Sequence, residues 1–255
     1  MPYEKGPDLR GARFEDLDLS HARLHAANFE GAKITDAWFY GADISGDLEG
    51  LLLNGVEVAP LVIAELERRD PQRKKLRAAD PAGLADAWAM IEERWQTTVV
   101  RARELPVQVV HERVDDEWSF VETLRHLVMA TDSWLRRMVK GMDHPYHPWG
   151  LAGSWLDDPA ALGIDPAASP SLEEVLGLRR KRMDEVRRTI DSLTAEELER
   201  VCVPPDSPGH PNADHTVQEC LHVILDEEWE HHAYATRDLD ILVARRSDDL
   251  PGKDS

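Results

Sequence analysis

A chain of 255 residues, 42% apolar and with eight Trp, can enclose one large domain or a domain plus a smaller module, and is too apolar for general disorder. Its formal charge of -19 repels phosphate backbones, and no basic stripe interleaved with aromatics offsets this, which argues against nucleic acid as a partner. The first ten residues hold no apolar signal core and no window approaches the roughly 18 apolar residues of a membrane span, so the cytoplasm is the expected compartment and no membrane partner is expected.

From the N-terminus, a period of five comes first. Leu9, Phe14, Leu19, Leu24, Phe29, Ile34, Phe39 and Ile44 are all large and apolar. Two positions before them stand Ala12, Ala22, Ala27, Ala32, Ala37 and Ala42, with Pro7 and Leu17 as exceptions. Five fits neither a helix nor a flat strand. The pattern resembles pentapeptide repeats, which implies a short right-handed β-helix with the large and small residues inward. Eight repeats would make two coils, too few to bury much alone, so packing against the rest of the protein is expected.

The repeat ends near Gly46 to Gly55, which closes a module over residues 1–55. A helical connector over 56–79 follows, with Pro60 opening a helix over Leu61 to Arg69 and a basic run, Gln72 to Arg77, read as a solvated face. Asp80 and Pro81 then signal a helix start, and Leu84, Trp88, Ile91, Trp95, Val99 and Ala102 follow at spacings of three and four. A second helix is predicted from Glu117 to Lys140, burying Val121, Leu124, Val128, Leu135 and Met138.

Capping boxes predict the remaining starts: Ser171 with Glu174, Thr194 with Glu197 for a short helix, and Thr216 with Glu219 for a last helix to Val243. Four long helices over residues 80–245 imply a mainly α protein, an antiparallel four-helix bundle, with 246–255 as a disordered tail. Two connections interrupt it: Gly141 to Pro170, with Trp149 and Trp155 as an apolar lid, and the Pro-rich loop Val201 to His215. Cys202 and Cys220 have no zinc-finger spacing and read as reduced thiols.

On a wheel of about 100° per residue, Val217, Leu221, Ile224, Leu225, Ala235, Leu239 and Leu242 form one face of the last helix. Glu228 and His232 sit mid-stripe, Glu227 and His231 toward its edge, and Trp229 and Glu230 point away. A carboxylate buried there needs a cation or a proton. The i, i+4 pair can therefore hold a metal or be a buried Glu-His hydrogen bond. His126 lies off the apolar stripe of its helix. His144, His147 and His222 read as structural or solvated, and His210 and His215 as residues that could line a site mouth.

The run Glu122 to Leu127, with Asp132 and Trp134, resembles the ligand helix of the DinB-like superfamily, and Glu227 to His232 is similar to its final ligand helix, in the Glu-x-x-x-His form of the mycothiol-dependent isomerase branch. The likeness covers residues 80–245. It implies His126, Glu228 and His232 as ligands of one divalent ion (zinc, nickel, iron or manganese), although the doublets Glu227-Glu228 and His231-His232 leave the register open by one residue. It further implies a thiol-dependent S-transferase, isomerase or hydrolase using mycothiol, bacillithiol or glutathione on a small-molecule substrate. A non-catalytic metal-binding or interaction scaffold is the alternative, and a homodimer is among the expected partners.

Overall fold

The computed structural model describes residues 6–153, 156 and 158–248. The expected tail falls mostly outside these residues, since the last helix continues to Asp248. The chain divides into two compact units, Met1–Glu65 and Leu66–Ser255. The described residues include no helix long and apolar enough to cross a membrane.

In the first unit the five-residue period is written in the backbone. Gly11, Asp16, His21, Ala26, Gly31, Asp36 and Gly41 all have positive φ, between 52° and 72°. Every second repeat closes a turn: Ala12 N–H donates to the Leu9 carbonyl at 3.0 Å, and the same bond recurs at Ala22, Ala32 and Ala42. The expected burial does not follow. Phe14, Leu24, Phe29 and Phe39 are each more than half exposed, so the segment is a string of regular turns and not a β-helix with these side chains inside. Eight repeats supply too little stacked neighbour surface to enclose them.

After the repeats, Leu52–Leu53 (β1) pairs antiparallel with Val56–Glu57 (β2) around Asn54-Gly55, both at positive φ as a two-residue hairpin of this type needs. Helix α1 spans Ala59–Arg69.

The second unit is built on α2 (Pro81–Arg103), α3 (Phe120–Thr131) running on into a π-helix (Asp132–Val139), α4 (Leu172–Ser192) and α6 (Val217–Asp248). A short α5 (Ala195–Leu198) and the paired β3 (Val201–Cys202) and β4 (His215–Thr216) join α4 to α6. The predicted caps form at Asp80, Ser171, Thr194 and Thr216. The predicted second helix begins at Phe120 and not at Glu117, because Ser119 and Glu122 close a capping box, leaving Glu117 and Trp118 outside the helix.

Helix α2 packs against α4 and α6, and α3 against the same two, so α4 and α6 face each other across a diagonal. Ion pairs fix the directions. Arg103 with Glu173 makes α2 and α4 antiparallel, whereas Arg182 with Asp132 and Lys140 with Glu185 make α3 and α4 parallel. The bundle is therefore not antiparallel throughout: residues 141–170 carry the chain back so that α4 restarts at the end where α3 began. The core combines the predicted stripes, including Leu84, Trp88, Trp95, Leu124, Leu135, Val175, Ile190, Leu221 and Leu239.

Buried arginines strap both long connections to α3. Arg125 donates to the carbonyls of Trp149, Gly150 and Asp165. Arg137 donates to those of Pro205, Ser207 and Pro211. The basic run expected to be a solvated face is a 3-10 helix, Pro71–Arg77, docked on α6: Leu76 is buried, Arg73 pairs with Glu230 at 2.5 Å and Arg77 with Asp226 at 2.7 Å. Trp229, expected to point away, is consequently buried with the Arg94 guanidinium 3.9 Å above its ring.

Candidate metal centre

Among the described residues, one His/Cys/Asp/Glu group has its ligand atoms close enough for a single ion: His126, Glu227 and His231, all within 4.8 Å of one another. His126 sits mid-helix on α3 and is buried. Glu227 and His231, one turn apart on α6, occupy the edge of its apolar stripe where that helix faces α3.

His126 is oriented by the crossover. Its Nδ1 lies 3.0 Å from the Leu151 carbonyl, which can only accept, so Nδ1 carries a hydrogen and Nε2 is the nitrogen available to a proton or a metal. That Nε2 faces Glu227 Oε2 at 3.2 Å, and His231 Nε2 approaches the same oxygen at 3.1 Å. A neutral His126 would place one acceptor against another. The arrangement is favourable only with a proton or a metal cation between the groups. Burial works to raise the Glu227 carboxyl, but the hydrogen bonds and charge of His126 and His231 outweigh it and hold it well below the usual carboxylate range.

An aromatic wall closes one side. The Trp118 ring lies 4.5 Å from His126 and 5.8 Å, nearly parallel, from His231. Tyr234 packs edge-on against His231 at 6.0 Å. Trp118 stands on a loop in which Asp115 and Asp116 are both left-handed, so the chain turns sharply before the Ser119 cap.

The pair predicted from the centre of the stripe is used elsewhere. Glu228 is 1% exposed, with its two oxygens each 2.7 Å from an Arg179 nitrogen. His232 Nε2 lies 2.8 Å from Thr98 Oγ1 and 3.3 Å from the Arg94 carbonyl, and burial pushes its pKa down. The structure thus gathers His126 with Glu227 and His231, and does not gather it with Glu228 and His232. Maximum burial on the wheel identified core positions, whereas a site open to a ligand belongs at the stripe's margin. The doublets made the two registers indistinguishable by spacing.

The other histidines stay apart. His147 Nδ1 accepts the Trp149 N–H at 3.1 Å. His210 and His215 flank Trp134 at 6.2 and 5.1 Å, and His222 meets the Ala78 carbonyl at 2.8 Å. Trp149 is half-buried beside His147, and Trp155 lies outside the described residues.

A family model described as the DinB superfamily matches residues 90–235, and pentapeptide repeats match in eight copies over residues 8–46. No curated protein and no solved structure matches the chain.

Proposed function

The chain belongs to the DinB superfamily, and from that premise we propose that His126, Glu227 and His231 hold one divalent ion, zinc, nickel, iron or manganese, in an enzyme that adds a small thiol or water to an electrophile. The observation that carries this reading is the convergence of His126 Nε2 and His231 Nε2 on Glu227 Oε2 while His126 Nδ1 is engaged by Leu151. Three donors with no fixed hydrogen between them suit a cation, and a carbonyl behind a ligating imidazole is the usual means of fixing its tautomer. Two imidazoles and one carboxylate are the borderline-to-hard set that these four metals accept. When bound, such an ion acts as a Lewis acid that lowers the pKa of a thiol or water.

The residues around it have separate tasks. Leu151 aims His126, and the Arg125 clamp on the crossover holds Leu151 in place. Trp118 excludes water from the His126 side and offers an apolar face to a substrate. Tyr234, whose phenol holds its proton at neutral pH and which packs against His231, can donate a hydrogen bond to an electrophile's oxygen. A cytoplasmic low-molecular-weight thiol, mycothiol, bacillithiol or glutathione, is the nucleophile this reading favours.

The test is turnover of such thiols with a model electrophile, chlorodinitrobenzene, by protein reconstituted with each metal. Metal-dependent turnover that disappears in Glu227→Ala and His231→Ala and survives in His232→Ala supports the proposal. Equal rates with and without metal for every pair would leave the site structural and favour a scaffold.

A further inference from the structure

The first unit carries a surface that the proposed chemistry does not use. Phe14, Leu24, Phe29 and Phe39 are 51–60% exposed, and Trp38 and Tyr40 are 87% and 93% exposed. Aromatic side chains present roughly 150–250 Å² each, so the eight period-five positions leave on the order of 800 Å² of apolar surface, about what one partner contributes to a standard interface. Isolated exposed apolar residues need no explanation, but a regular ladder of them does.

A further observation points to burial from outside. The turns are already set: left-handed φ recurs every five residues, including at Asp16, His21, Ala26 and Asp36, where an L side chain makes it unfavourable by about 1–2 kcal/mol per residue. That cost is borne in a segment with no buried core of its own, so the offsetting burial must come from outside it. Charge does not select the partner: residues 8–46 hold seven acidic and four basic side chains, a net of -3 against -19 for the chain, which is the chain's average density.

We propose that this pentapeptide segment is a self-association surface whose occupant is the same segment of a second copy, the two apolar ladders packing on each other so that each supplies the apolar neighbour its partner lacks. The partner is chosen by spacing. A ladder with one large side chain every five residues and a left-handed corner between them is matched in register by another ladder of the same period, and every copy of this chain carries one. Repeat units bury their faces against neighbours of their own kind.

Sedimentation velocity of the full chain at tens of micromolar tests this. The expected result is a dimer that becomes monomeric in Phe29→Asp/Phe39→Asp and in Phe14→Lys/Leu24→Lys, with unchanged helical circular dichroism. Because these side chains are mostly exposed, the bundle should fold in both variants, and two charge signs guard against one variant misbehaving. A monomeric wild type overturns the proposal, as does a dimer retained by either folded variant. A monomer that floats with phosphatidylglycerol vesicles assigns the ladder to lipid instead, and a monomer whose bundle melts earlier in the variants assigns it to the chain's own bundle.

Discussion

Glu228 on α6 is held across the diagonal of the bundle by both terminal nitrogens of Arg179 on α4, at 2.7 Å each, with the two side chains 1% and 3% exposed. This pair sets the rotation of α6. With Glu228 pointing at α4, its neighbour Glu227 turns about 100° away, toward α3 and His126. The carboxylate that looks most like a buried ligand is therefore the one that aims its neighbour.

Removing one partner of this pair should be worse than removing both. Arg179→Met leaves an uncompensated buried carboxylate and should destabilise by about 3–5 kcal/mol, whereas Arg179→Met/Glu228→Leu should recover much of that loss. Urea denaturation of the two variants measures the difference. Equal destabilisation would show that the charge pair is not what governs this contact.

Metal content should follow the register. Reconstituted His126→Ala, Glu227→Ala and His231→Ala are expected to hold less than a tenth of an equivalent of any first-row metal. Glu228→Gln and His232→Ala should stay near one equivalent if they fold. Elemental analysis after gel filtration decides, and the opposite pattern would return the site to the central pair.

Trp118 should report on the site optically. Its ring is 4.5 Å from His126, and it is one of eight Trp in the chain. Titration with Co²⁺ or Cu²⁺ should quench part of the protein's fluorescence, and Trp118→Phe should abolish most of that quenching while leaving metal stoichiometry unchanged. Undiminished quenching in the variant would place the ion elsewhere.

Arg125 holds the crossover that orients His126. Arg125→Met removes a buried charged donor from three carbonyls, each such bond being worth about 1.5–3 kcal/mol when accepted from a charged group. Cleavage by a nonspecific protease within residues 141–170 should become at least tenfold faster, and metal affinity should fall. Unchanged cleavage would mean that other contacts pin this segment.

The cysteines give a pH signature at the alkaline end. Burial pushes the Cys220 thiol up to about 12 and raises Cys202 as well. A thiol whose folded pKa lies above its unfolded value of 9.0 keeps its proton while the unfolded chain ionises, so stability is lost as pH rises from about 9 toward 12. Between pH 8 and 10, Cys220→Ala should lose less stability than wild type in chemical denaturation. Both thiols should resist iodoacetamide at pH 8 until the protein is unfolded.

The helices, their caps and their core stripes were legible in the sequence, because apolar spacing and Ser or Thr with Glu three residues on are local signals that burial enforces. His126 was not visible by periodicity. It lies off its helix's stripe, and only tertiary contacts enclose it: Trp118 and His231 pack against its ring, and the Leu151 carbonyl orients it through Nδ1. The five-residue repeat was equally local, and the backbone keeps it as one left-handed corner per repeat. Whether the large residues are enclosed depends on how much surface stacks on them, which spacing does not contain. Which Glu-His pair of α6 faces His126 was decided by a long-range contact. Glu227 and Glu228 are the same residue type one step apart, and the position of Arg179, 49 residues earlier and across the bundle, determines which of them is neutralised by a guanidinium and which is left to face the imidazoles.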